Sequence, residues 1–115
     1  MRLGAHDAAS AETAVRELLG LRQPATAIFT GNNRITIGAL RALSGSGGIA
    51  LVGFDDLELA ELLSPPVSVI AYDAAELGRR AARVLWERLS GEDRPPKRIV
   101  LPTTLVPRGS GEIAA

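Results

Sequence analysis

Residues 49–72 read IALVGFDDLELAELLSPPVSVIAY, and the rest of the chain is arranged around them. The stretch opens with an unbroken apolar run, Ile49 to Val52, which ends in Gly53-Phe54 and two carboxylates, Asp55 and Asp56. A run this short, with no polar alternation, predicts a strand covered on both faces, as in a parallel sheet under helices. A short amphipathic segment follows, in which Leu57, Leu59, Ala60, Leu62 and Leu63 are mixed with Glu58 and Glu61. Pro65-Pro66 stops any helix, because proline has no amide hydrogen and restricts the residue before it. Residues 67–71 then read as the next strand. Ligands of open α/β sheets sit beyond the carboxyl ends of the strands, which makes Asp55 the first candidate site residue.

Outward from this centre, strands alternate with helices. Ser10 is placed to cap a first helix with the apolar stripe Ala14, Val15, Leu18 and Leu19, and residues 1–9 read as loop. Residues 26–30 (TAIFT) predict a buried strand, and Gly31-Asn32-Asn33 a strand-to-helix turn in which an asparagine caps the helix that follows. That helix, about residues 34–43, is apolar around most of its circumference, which places it against more than one neighbour or at a subunit interface. Ser44 to Gly48 form a flexible connector. Asp73 and Glu76 have the spacing of a capping box for a helix over 74–89. Its stripe is Leu77, Ala81, Val84, Leu85 and Leu89, with Arg79, Arg80 and Arg83 facing away. A surface turn over 91–97 and a last strand over 98–106 complete the pattern, and the tail from Pro107 is expected to fray. The fold class is therefore α/β: three layers, with a mainly parallel sheet of about four strands flanked by helices.

The totals narrow the chemistry. At 115 residues the chain is one domain at most, and 46% hydrophobic against 23% charged residues places it among globular proteins. Thirteen basic residues balance 13 acidic ones, which argues against a dedicated nucleic-acid surface. No cysteine is present, so there is neither a disulfide framework nor thiolate chemistry. No apolar run approaches the roughly 20 residues of a membrane span, and the first ten residues lack a signal-peptide core. A cytoplasmic protein that does not engage a membrane is the expectation.

Enzyme motifs are equally thin. Ser44 to Gly48 lack the lysine and spacing of a phosphate loop, and His6 has no serine or carboxylate at triad spacing. Asp55, Asp56, Glu58 and Glu61 lie on one strand end and one exposed face, a poor arrangement for the converging oxygens of a hard-metal site. A receiver-like or phosphatase-like enzyme that uses Asp55 and Asp56 is the alternative from another class, but the partner residues it needs at other strand ends are not found.

Four segments together carry a resemblance: FTGNNRITIGALRAL (29–43), IALVGFDD (49–56), SPPVSVIAYDAAELGRRAARVLWERL (64–89) and RIVLPTTLVPRGS (98–110). In that order they resemble the carboxyl-terminal part of the effector-binding domain of LacI/GalR-type bacterial transcriptional regulators, which has a type I periplasmic-binding-protein fold. The resemblance implies ligand contacts at Asn32, in the strand-to-helix turn, and at Asp55, the first aspartate of VGFDD. Tyr72 stands near the crossover between subdomains, where the family often has glutamine or another polar residue facing the cleft. That makes it a third candidate ligand contact, by stacking on a sugar ring or donating a hydrogen bond. Asn33 replaces the family's usual aspartate. The connector Ser44–Gly48 is shorter than the family's.

The effector implied is a small molecule, a sugar in the first instance, with no metal and no cofactor. A fragment of a sugar-transport receptor of the same fold is the alternative within binding proteins. No counterpart is found for a DNA-binding headpiece, for the amino-terminal subdomain or for the family's upstream effector-contacting arginine, so DNA would be reached only through a headpiece outside this chain. In the family the helix matching 74–89 packs in the amino-terminal subdomain. Its stripe is therefore expected to fold back on the chain's own sheet or to pair with a second chain, as a homodimer.

Overall fold

The computed structural model describes residues 4–113, in the order α1 (Ala8–Leu19), β1 (Ala27–Thr30), α2 (Asn33–Leu43), β2 (Ala50–Phe54), a 3-10 turn (Ala60–Leu62), β3 (Ser68–Ala71), α3 (Ala74–Leu89) and β4 (Thr104–Val106). The chain divides into two units. The first runs to Ala71 and resumes at Leu105, and the second is Tyr72–Thr104. The sheet order is β1-β2-β3-β4, and β1 pairs β2, and β2 pairs β3, in parallel. The α/β reading with a mainly parallel four-stranded sheet is borne out.

The core lies in the first unit, where Val15 of α1, Ala39 and Ala42 of α2, Leu51 of β2, Val67 and Val69 form one buried cluster with Ala60. Alternation along β2 sets its faces. Leu51 and Gly53 are buried, and a Cβ on Gly53 would come within 2.8 Å of Thr36 Oγ1, so α2 lies on that face. α1 in turn packs on α2 at Gly38, where an added Cβ would run into the Ala8 carbonyl and come within 2.6 Å of Ala11 Cβ. Small residues let the two helices approach closely.

α1 begins earlier than the sequence pattern indicates. Asp7 is its N-cap and accepts the Ser10 amide at 2.8 Å, while Ser10, at the third helical position, reaches back with its hydroxyl to the Asp7 amide at 3.2 Å. Ser10 is thus the second half of a capping box, not the cap. At the other caps Asn32 accepts from the Ile35 amide at 2.9 Å and Asp73 from the Glu76 amide at 2.8 Å. The Glu76 carboxylate is held by Arg79 and Arg80. The boundaries of α3 are those expected, yet no residue of α3 is buried.

Two expectations for the carboxyl-terminal part are overturned. The last strand is only Thr104–Val106, because Pro102 lacks the donor that a longer strand needs. Over residues 107–113 the tail does not fray. In the β2–β3 register Val52 stands opposite Ser68, so Ala50 would face Pro66, which has no N–H to give. Ser110 fills that gap. Its N–H donates to the Pro66 carbonyl at 3.0 Å, its own carbonyl accepts the Leu51 N–H at 2.8 Å, and its hydroxyl donates to the Leu51 carbonyl at 2.6 Å. The same hydroxyl accepts the Ser68 N–H at 2.9 Å, and Ser110 is buried. A tail that supplies the missing hydrogen bonds of a split sheet is structural.

Candidate functional site

Parallel pairing brings the carboxyl ends of β1 and β2 side by side, with Thr30 opposite Gly53. The chain leaves the first end through Gly31-Asn32 and the second through Asp55-Asp56, so Asn32 and Asp55 stand at the same end of the sheet.

Asn32 is fixed from beneath. Its carbonyl accepts the Thr36 N–H and the Thr36 hydroxyl, each at 3.0 Å. Thr36 thereby spends its one hydroxyl hydrogen, so in the buried Thr30–Thr36 contact of 2.7 Å it is Thr30 that donates. Glycine at position 53 leaves room for this pair. With Oδ1 engaged in capping α2, Asn32 retains its side-chain N–H groups as donors on an exposed residue. Asn33, the first residue of α2, is half-buried.

Asp55 extends the ladder by one step, its N–H donating to the Ile70 carbonyl at 2.9 Å, and then turns into the left-handed region at φ 72°. Aspartate is among the few side chains that tolerate this backbone, and residues held there concentrate at functional sites. Among the described residues its half-buried carboxylate has neither a hydrogen bond nor an ion pair.

Asp56 has the opposite fate. Arg108 grips it through two nearly parallel bonds of 2.7 and 2.8 Å, and its Oδ1 also accepts the Leu57 N–H at 2.9 Å. The Arg108 hydrogen bonds above all, helped by the Leu57 amide and the guanidinium charge, hold its carboxyl below the ordinary value, against the opposing effect of burial. Arg108 also donates to the Val67 carbonyl at 3.3 Å, and the Asp56 pair raises its own pKa in turn. One aspartate of the pair fastens the loop, and the other keeps a carboxylate with no partner among the described residues.

Tyr72 follows the last residue of β3 and opens the second unit, half-buried and next to the α3 cap Asp73. Asn32 and Asp55 are brought together at one end of the first unit's sheet, and Tyr72 belongs to the other unit. Among the described residues no group of three or more His, Cys, Asp or Glu is gathered as metal ligands would be. The sequence reading missed Arg108 and the Thr30–Thr36 pair. The only available signal was PRGS at the end of the last resembling segment.

Known proteins are similar to this chain. A family model described as a periplasmic binding protein-like domain matches residues 2–111. The HTH-type transcriptional regulator CelR of Thermobifida fusca is 37% identical over 107 residues, or 89% of this chain and 32% of that protein. A solved CelR–cellobiose complex is similar with a TM-score of 0.81 and 36% identity, over 94% of this chain and 35% of the other. A LacI family transcriptional regulator from Enterococcus faecalis V583, solved with bound ribose, gives 0.79 and 28%, over 96% and 43%. The chain spans about a third of the length of CelR.

Proposed function

Because the chain belongs to the periplasmic binding protein-like domain family, in the form carried by LacI-type regulators, we propose that it is the carboxyl-terminal portion of a sugar sensor that controls transcription. The observation that carries this reading is the pair at the strand ends: an asparagine and, beside it, an aspartate, whose amide donors and carboxylate respectively have no partner among the described residues. Sugar hydroxyls both donate and accept. A carboxylate takes hydrogens from two neighbouring hydroxyls while an amide donates to a third oxygen, and fixed polar groups of this kind set orientation in a binding cleft. Tyr72, at the start of the second unit, is the third ligand-contacting residue of this reading, stacking on a sugar ring or donating its hydroxyl.

The bound sugar acts by favouring one of two arrangements of the full regulator, and it can shift that balance only by its difference in affinity for the two. DNA is reached through a headpiece outside this chain, the regulator works in the cytoplasm, and the chain self-associates. The names of the bacterial regulators it resembles, an HTH-type regulator and an operon repressor, support the first two points. No helix among the described residues is long and apolar enough to cross a membrane. The relatives are regulators rather than enzymes. Asp56, committed to Arg108, also removes the second carboxylate that a phosphatase-like or receiver-like site would use.

Titration of the isotope-labelled chain with cellobiose, lactose and ribose tests the reading. At least one sugar should shift the amide signals around Asn32 and Asp55 at concentrations of about a millimolar or above, as befits a partial site. Asp55→Ala should abolish the shifts without altering the circular dichroism. Sugars that leave both positions untouched, while magnesium moves Asp55 and Asp56, would turn the assignment towards the enzyme reading.

A further inference from the structure

The Asp55 backbone is pinned by its own contacts on one side only. Its N–H donates to the Ile70 carbonyl at 2.9 Å, and the chain then turns through φ 72°. A left-handed backbone at a residue other than glycine costs energy and lasts only where the surroundings over-determine it. The fixing groups come with the next residue. Asp56 accepts the Leu57 N–H and both arms of the Arg108 guanidinium. We propose that Arg108 is a positioning residue of the sugar site: by gripping Asp56 it fixes the turn from which the Asp55 carboxylate projects. The proposal deepens the functional reading above and rests on it.

Arg108 is mounted more firmly than a surface arginine. Its side chain is 13% exposed, and its guanidinium also donates to the Val67 carbonyl at 3.3 Å, at the start of β3. Its backbone N–H donates to the hydroxyl oxygen of buried Ser68 at 2.9 Å. The Gly109 and Gly111 N–H groups share that oxygen at 3.2 and 3.3 Å, and the Ser68 hydroxyl donates to Glu112 at 3.2 Å. The tail is thus tied to β3 at several points, and the guanidinium carries that tie across to the end of β2.

The form of the contact matters as much as its strength. Two bonds of 2.7 and 2.8 Å in one planar fork set the direction of the Asp56 carboxylate as well as its distance, which a single point charge would not do. Glu61, 3.7 Å from the same guanidinium and 79% exposed, adds little. A binding carboxylate held in place before the ligand arrives has less freedom to lose on binding, and sites depend on the groups that support their contacts in this way.

Two readouts on the isotope-labelled chain test the proposal, one of them without sugar. In Arg108→Gln the Asp55 amide should exchange with solvent about ten-fold or more faster, measured against Leu51 and Val69 in the same sample. The Kd for whichever of cellobiose, lactose and ribose binds should rise about ten-fold or more. Asp56→Asn should act in the same way, and the double variant should be no worse than the poorer single one, because both changes cut one link. Ser110→Ala weakens the same tail at a different point of the sheet and should leave the relative exchange of Asp55 and the Kd within about two-fold of wild type. A purely structural role for Arg108 would make Ser110→Ala and Arg108→Gln alike in both readouts, and that result overturns the proposal. So does an Arg108→Gln chain that matches the wild type in both. If the wild type binds no sugar, the sugar reading falls and exchange alone decides the positioning: a faster Asp55 amide in Arg108→Gln upholds it, and an unchanged one overturns it.

Discussion

Arg108 explains why two adjacent aspartates behave differently. Its side chain is 13% exposed and binds Asp56 by two charge-assisted bonds, which leaves Asp55 as the carboxylate without a partner among the described residues. Arg108→Gln should lower stability by about 1 kcal/mol at pH 7, a figure kept small because Asp56 is 44% exposed and partly screened. The sign of the pH dependence follows from the direction of the shift. The Asp56 carboxyl is held below its ordinary value of 3.8, so its contribution is complete above that pH and is lost as pH falls through the lowered folded value. Urea midpoints of wild type and variant should therefore differ at pH 7, and the gap should close as pH falls progressively below 3.8. A constant gap would mean that Arg108 works by packing alone. The sequence displayed Asp55-Asp56 as a pair and gave no hint of which was engaged, since the deciding partner lies 52 positions away from Asp56. A capping asparagine at 32 or 33 was easier to foresee, because capping depends only on the three residues that follow, and the structure assigns it to Asn32.

The helices were legible where local rules govern them. Apolar spacing and the Asp73 cap located α3 to the residue, and the Asn32-Asn33 pair placed the start of α2 to within a residue without deciding which asparagine is the cap. What local rules do not carry is how elements meet. The apolar circumference of α2 showed that it has several neighbours but did not name Gly38 as the point where α1 crosses. Gly38→Ala improves helix propensity by about 1 kcal/mol, yet the new methyl would strike the Ala8 carbonyl, which a helix backbone cannot withdraw. The net effect should be a loss of about 2 kcal/mol, seen as a lower urea midpoint with an unchanged slope. The tail was misread for a related reason. PRGS looks like a frayed end, and only the register that leaves Pro66 without an N–H shows that a serine is wanted there. Ser110→Ala removes a hydroxyl that serves the Ser68 N–H and the Leu51 carbonyl, both buried away from water. A cost of about 1–3 kcal/mol is expected. A variant as stable as the wild type would restore the frayed tail.

Burial is unevenly distributed over the chain. Every buried residue lies in the first unit, and none of Tyr72–Thr104 is buried. α3 is held by its own hydrogen bonds, its Asp73 cap and the exposed pairs of Glu76 with Arg79 and Arg80. Such pairs contribute little, and a helix of this length standing on local interactions is marginal in water. It nevertheless exposes Leu85, Trp86 and Leu89, which local interactions do not require. Hydrogen exchange separates the two consequences. If α3 has only local support, its amides should exchange about a hundred-fold or more faster than those of Leu51 and Val69, whose opening requires the core to come apart. Protection of α3 equal to that of β2 would mean that its apolar face is covered in solution. If that protection fell on dilution, the cover would be a second chain, and the self-association surface would then include α3.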